Sequence, residues 1–440
     1  MNYLNRFSSL FRSKLSGSSV AEMSWVFFGQ VFSVGLGFVI LKLLSGLGPE
    51  NYGIYTLVLT IAAFIGLLFF GPLQQGFIRF YHHYAKKSRV DIYVKLLYKT
   101  LLWMSIIFTL IAVLAASFSS AFNLYKPFYF LALAGIFVIT FKLSEFFNGA
   151  LNILRKRKEY TIILTLEKSF IILLLFLLLI TDNLNLVNVL IVLTLAAIIF
   201  GAIKILIFSK YLPVSKPAAV EDLNDHRKEM LTKLISYIFP FFIWGLSGWL
   251  LLNGEKWIIN GLLSTVDVGI YAIMIALVNA FIVVPNNIIS EFTTPIIFQH
   301  YADLSDRERI NTGYDYIKLT IVAVLFISII SSGIMLIWGK ELIILVSDSN
   351  YSVYWYLLPA LCFGTGLFLT GQAQTILGMA LNKPMKYLIP KVAIGILSVI
   401  LNLILIKIYG LAGVAYSVLA TGIIYTLFIF IINRKIIHSV

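Results

Sequence analysis

The sequence is poor in the residues most chemistry uses. A single cysteine, Cys362, stands among 440 residues, so no disulfide framework exists and no thiol-based metal site can be assembled. The five histidines, His82, His83, His226, His300 and His438, fall in or beside short polar loops on one side of the chain. Only 12% of residues are charged, where a soluble domain carries about 25%. That shortage excludes a water-soluble globule. Long polar connections are missing too: the longest run to about 25 to 30 residues, less than the roughly 50 a folded domain needs. Function therefore has to reside in the apolar segments.

Those segments dominate. Hydrophobic residues make up 60% of the chain and the mean hydropathy is +0.94. Twelve apolar runs of roughly twenty residues follow one another, the length that crosses a bilayer as an α-helix. The first is Ser24 to Leu44 and the second Gly53 to Leu73; the seventh is Leu234 to Asn253, the eighth Val268 to Ile288 and the twelfth Leu411 to Ile432. The fold class is all-α, a polytopic membrane protein. Residues 1–23 are polar and basic, and the run after them is too long for a signal-peptide core. Leu4, Phe7, Phe11 and Leu15 recur at helical spacing beside Arg6, Arg12 and Lys14, which suits a short amphipathic helix in the headgroup layer; a polar tail is the alternative.

A net charge of +14 would suggest nucleic acid only if it formed a basic face on a soluble domain. Here it is topological. The loop after the second run holds Arg79, Lys86, Lys87, Arg89 and Lys95, and the loop after the fourth holds Arg155, Lys156, Arg157 and Lys158. Basic residues recur after the sixth, eighth and tenth runs, whereas the opposite loops hold little but Lys126, Lys256 and Lys340. The positive-inside rule places the basic side, with both termini, in the cytoplasm.

The chain also repeats itself. Shifted by 216 residues, the separation of Gly53 from Gly269, the positions Leu47, Gly53, Ile54 and Tyr55 fall on Leu263, Gly269, Ile270 and Tyr271. Six helices per half give both copies the same orientation. The expected organisation is an N-terminal bundle over 24–208, a linker at 209–233, a C-terminal bundle over 234–433 and a tail at 434–440, the two pseudo-symmetric bundles enclosing a central cavity that opens alternately to either side.

These residues carry a resemblance. The stretch Leu43 to Tyr55, containing LGPENYGIY, and the stretch Gly71 to Tyr81, with Gln74, Arg79, Phe80 and Tyr81, resemble the N-terminal signature of the bacterial polysaccharide flippases of the multidrug/oligosaccharidyl-lipid/polysaccharide exporter superfamily. The basic cluster Arg155 to Lys158, the second VGIY at Val268 to Tyr271, the NKP at Asn382 to Pro384 and the glycine-rich opening of the last run at Gly410 to Tyr416 extend it along nearly the whole chain. The resemblance implies translocation of undecaprenyl-pyrophosphate-linked oligosaccharide from the cytoplasmic to the outer leaflet, in O-antigen or capsule synthesis. It implies a cationic lumen, H⁺ or Na⁺ as coupling ion, membrane lipids as surroundings, and a polysaccharide polymerase and chain-length proteins as partners. No cofactor, metal or nucleic acid is expected.

Intramembrane charge is costly, roughly 2.5 to 3.5 kcal/mol for a central Lys, Arg or Asp on the insertion scale, so each such residue needs a reason. Lys204, Lys391 and Lys407 lie near run ends and read as snorkelling to the headgroups. Lys142 and Glu167 each lie about seven residues deep, near 10 Å, and are expected to meet across the fourth and fifth helices. Two roles stay open for Lys142, Glu145, Glu167 and Lys168: plain salt bridges, or a lining in which the lysines attract the pyrophosphate and a carboxylate carries the coupling ion. Lys42 and Lys256, near the outer ends of runs one and seven, form a pseudo-symmetric pair suited to a diphosphate, and Trp244, Trp249 and Trp257 can face sugars; snorkelling and aromatic anchoring explain them equally. Arg79 is a candidate to receive the head group on entry.

A cation-coupled multidrug exporter of the same superfamily is the alternative, though it would favour carboxylates over the lysines seen here. A membrane-embedded glycan polymerase or transferase would need a catalytic constellation on a loop, and no large outer loop exists to hold one. An enzyme is therefore not expected.

Overall fold

The computed structural model of the protein describes residues 17–86, 90–121, 128–154, 156–212, 223–301, 306–381 and 383–437. Most of the amphipathic segment expected at 1–23 lies outside the described residues, as do Lys87, Arg89, Lys126, Arg155, Lys216 and His438. Every regular element among the described residues is helical. Hydrocarbon offers no partner for backbone N–H and C=O groups, and a helix satisfies them within its own segment. Eleven of the described helices are long and apolar enough to cross a membrane, and Phe32–Ser45 is a shorter apolar stretch.

Chain order is α1 (Gly17–Ser45), α2 (Gly48–Ile65), a π-helical turn π1 (Gly66–Phe70), and α3 (Gly71–Lys86). Then come α4 (Val90–Ala121), α5 (Phe128–Ile153), α6 (Arg157–Ile180) and α7 (Leu186–Lys210). The second half begins with α8 (Leu223–Leu262), α9 (Thr265–Val278), a second π-helical turn π2 (Asn279–Val283) and α10 (Val284–His300). It ends with α11 (Arg307–Val346), α12 (Leu358–Gln374), the short α13 (Ile376–Ala380), α14 (Leu388–Tyr409) and α15 (Ala412–Ile437).

The chain forms two compact units, Met1–Leu43 with Phe70–Phe239, and Leu44–Phe69 with Pro240–Val440. In the first unit the core is aromatic. Phe77 of α3 lies within 5.9 Å, centroid to centroid, of both Tyr93 and Phe208, and Phe147 packs edge-on against Phe146 and Phe208. Gln74 Nε2 donates to the Phe146 carbonyl at 3.0 Å. Gly149 makes room for that amide, since a Cβ there would stand 1.9 Å from Gln74 Nε2. By contrast α4 and α6 present apolar side chains outward, among them Leu102, Leu110, Leu114 and Leu173. An apolar surface of that extent belongs against lipid.

In the second unit small residues let helix backbones approach, the usual basis of helix association in membranes. A Cβ on Gly364 would lie 2.8 Å from the Leu419 amide nitrogen, and one on Gly366 would lie 1.9 Å from Ser328 Oγ. At the α13–α14 junction the Tyr387 hydroxyl donates to Asn433 Oδ1 at 2.5 Å and accepts from the Gly378 amide at 3.0 Å. Asn433 Nδ2 in turn donates to the Gln374 carbonyl. Where α2 crosses α9, Gly53 faces Gly269 with no side chain between.

Several helices run beyond the apolar runs that announce them. The seventh, expected from Leu234 to Asn253, is Leu223–Leu262, and the eighth continues to His300 through α10. Hydropathy stops at the first charges, whereas the backbone keeps its hydrogen bonds beyond them. The consequence is chemical: Lys256, counted above as a loop residue, and its neighbour Glu255 are buried within α8.

Candidate functional site

In the first unit α1, α5, α6 and α7 bring charges together. Lys204 of α7 is 1% exposed; its Nζ lies 2.7 Å from Glu167 Oε2 on α6 and 2.9 Å from Ser144 Oγ on α5. The approach is possible because Gly201, one turn earlier on α7, lets Ser144 come close: a Cβ there would lie 3.3 Å from Ser144 Cβ. The next residue on α6, Lys168, turns the other way. Its Nζ donates to the Ser33 carbonyl at 2.7 Å and to Ser33 Oγ at 2.6 Å on α1. Lys142 pairs along its own helix with Glu145, which is half exposed.

In the second unit α8 carries the corresponding polar groups. Glu255 and Lys256 are both buried, with Lys256 Nζ 3.5 Å from Glu255 Oε1 and bonded to the Leu252 carbonyl and Asn253 Oδ1. The Tyr271 hydroxyl of α9 lies near the Glu255 carboxylate. Two indoles converge on one threonine: Trp249 Nε1 donates to the Thr60 carbonyl at 2.8 Å and Trp257 Nε1 to Thr60 Oγ1 at 2.9 Å. Lys391 of α14 sets its ammonium 4.0 Å from the centre of the Trp244 ring, a cation–π contact of the kind that gains strength away from water.

Two sequence expectations are corrected. Lys142 does not meet Glu167; Lys204 occupies that place, and Lys142 turns instead to the carboxylate three residues along its own helix. Nor does Lys204 snorkel, because it is buried against Glu167; Lys391 is half-buried with its ammonium over the Trp244 ring, and Lys407 is exposed, as a snorkelling side chain would be. Arg79 and Lys42 lie exposed on α3 and at the end of α1. Trp249 and Trp257 have their N–H groups engaged by Thr60, and the Trp249 ring meets Phe64 edge to face at 5.2 Å. Sequence reasoning missed Glu255, Ser33 and Ser144. Glu255 was hidden by the short span assigned to α8; the serines gave no signal, since a lone hydroxyl in a helix normally bonds its own backbone.

The family described as polysaccharide biosynthesis protein matches over residues 19–301. No curated protein matches the chain. Solved structures share the fold along nearly the whole length at low identity. A multidrug resistance MATE family transporter of the MOP superfamily, in its inward-facing conformation, superposes with a TM-score of 0.67 at 16% identity, over 92% of this chain and 94% of that one. The lipid II flippase MurJ, in an inward closed conformation, gives a TM-score of 0.67 at 15% identity, over 94% of this chain and 88% of that one. A MOP superfamily transporter from Pyrococcus furiosus, described as having a binding pocket of reversed polarity, gives 0.59 at 15% identity, over 95% and 93%. The all-α fold of MATE and MurJ transporters is therefore this chain's fold.

Proposed function

The chain belongs to the polysaccharide biosynthesis protein family, and we propose that it is a flippase that carries undecaprenyl-pyrophosphate-linked oligosaccharide repeat units from the cytoplasmic to the outer leaflet for surface polysaccharide synthesis. It works by alternating access in the bacterial cytoplasmic membrane, with both termini in the cytoplasm and H⁺ or Na⁺ as coupling ion. MurJ, with a similar fold, is a lipid II flippase, which supports this reading.

One observation carries the choice of an anionic cargo. Glu145, Glu167 and Glu255 each have a lysine within salt-bridge distance. Lys168 is held only by neutral oxygens of Ser33 and Lys391 only by an indole face, with no carboxylate in salt-bridge range of either among the described residues. Two partly buried cations, Lys168 and Lys391, thus stand without a salt bridge among the described residues, against one exposed carboxylate of α10, Glu291, and that balance suits a diphosphate. Lys42, Arg79, Lys142 and Lys256 are further candidates for the head group, and Glu145 and Glu167 for the coupling ion. A multidrug exporter for cationic cargo would present the opposite balance.

Deleting the gene and analysing the lipids tests the proposal. Lipid-linked oligosaccharide is expected to accumulate in the inner leaflet, inaccessible to glycosidase added outside the cell. Normal export of the glycan in the deletion strain would overturn it.

A further inference from the structure

We propose that the crossing of α2 and α9 is a latch that closes the outer face, and that the π-helical turns π1 and π2 are the pivots on which it parts. The inference rests on the alternating access proposed above. Its basis is a reciprocity of contact. A Cβ built on Gly53 would stand 2.0 Å from the Thr265 carbonyl oxygen, and one built on Gly269 would stand 2.0 Å from the Pro49 carbonyl oxygen; each would also lie 3.1 Å from the other glycine's amide nitrogen. Gly53 and Gly269 are the equivalent positions of the repeat, and Pro49 and Thr265 are separated by the same 216 residues. The two helices therefore meet through one self-complementary surface, as two copies do across a two-fold axis. Only glycine fits at either position. Backbone meets backbone there, so the contact can part and re-form without any side chain changing rotamer.

Each latch segment ends at a π-helical turn. π1 spans Gly66–Phe70 and π2 spans Asn279–Val283, and in each case a proline, Pro72 or Pro285, is the second residue of the helix that follows. Proline has no N–H to give the carbonyl four residues back. Phe281, four before Pro285, accordingly takes its bond from Ser331 Oγ of α11 at 3.1 Å. Near the freed end of π1, Gly245 of α8 lies so close that a Cβ would stand 2.2 Å from the Leu67 carbonyl oxygen. Interrupted hydrogen bonding of this kind is where helices bend. The two prolines are 213 residues apart rather than 216, so each half makes its pivot with its own residues. The division of the chain into compact units falls between Phe69 and Phe70, inside π1.

The latch end lies beside the loops at 46–47 and 263–264, opposite the basic loops, which places it at the outer face. It is further held by Tyr351, whose hydroxyl donates to the Ser45 carbonyl at 2.9 Å and whose ring meets Tyr52 edge-on.

The test uses the full chain in cells, with Cys362→Ser as background and Ala272→Cys as reporter. Ala272 is 8% exposed and lies three residues beyond Gly269 on α9. A membrane-impermeant maleimide added outside should label the reporter about tenfold faster when Gly53→Ala or Gly269→Ala is present, the factor that a population shift of about 1.4 kcal/mol gives. Glycan export should fall in the same variants. Gly333→Ala, where a Cβ would meet nothing within 4 Å, should leave both unchanged. Labelling that is the same in both alanine variants as in the glycine chain overturns the latch. Should those variants fail to insert, the glycine-intact reporter decides. It should label faster in cells making the lipid-linked glycan than in cells blocked before its synthesis, and equal rates overturn the proposal. The flippase reading fails on a different result, the absence of trapped glycan lipid on deletion, in which case alanine-sensitive labelling would still support the latch.

Discussion

An ammonium buried as completely as that of Lys204 persists only because its charge and hydrogen bonds are met, here by Glu167 and Ser144. Removing one partner leaves the other uncompensated, which costs about 3 to 5 kcal/mol, whereas removing both is far milder. Lys204→Met should therefore lower the thermal midpoint in detergent strongly, and Lys204→Met with Glu167→Gln should recover most of the loss. Lys168 makes a different prediction. Glutamine at that position keeps a donor for Ser33 and removes only the charge, so Lys168→Gln should leave the midpoint nearly unchanged while glycan export falls by about tenfold or more, the factor given by losing one hydrogen bond to a charged group, about 1.5 to 3 kcal/mol. Depth in the sequence marked Lys142 and Glu167 as residues needing an explanation. It could not identify their partners, because those depend on which helix faces which. Lys204 looked able to reach the headgroups until α5 and α6 were in place beside it.

At the scale of elements, the apolar runs announce where helices are, and their caps and interruptions decide how they act. Gly48 begins α2 with a φ of +78° and Gly410 precedes α15 with a φ of +59°, conformations that glycine adopts without strain. Ser264 caps α9 by accepting the Asp267 amide at 3.2 Å. The π-helical turns are the least legible features, since no composition signals the extra residue. Pro285 follows π2 as the second residue of α10. Deleting Leu67 tests the element directly: a π-turn holds one residue more than an α-turn, so its removal should keep α3 in nearly the same register while taking out the bend. The deletion variant is expected to keep its monodisperse peak in size-exclusion chromatography while glycan export falls, and Leu67→Ala should leave both unchanged.

For the molecule as a whole, the alternation of basic loops makes a topological prediction. Single cysteines on the Cys362→Ser background at Asn183 and at Lys383 should behave oppositely toward an impermeant maleimide outside the cell. Asn183→Cys should label and Lys383→Cys should not, until the membrane is permeabilised. The background is convenient because Cys362 is fully buried in α12.

Composition and periodicity alone determined that the chain is a bundle of membrane-crossing helices, because runs of about twenty apolar residues are a local property that a bilayer reads directly. The ordered motifs added the family. Tertiary structure decided which lysine answers which glutamate, which cations stay uncompensated, that α8 buries Glu255 and Lys256, and that two repeated glycines touch. Those facts depend on the rotation and close approach of helices distant in sequence, and in lipid that approach is set by small residues and buried polar groups whose partners appear only once the helices have packed.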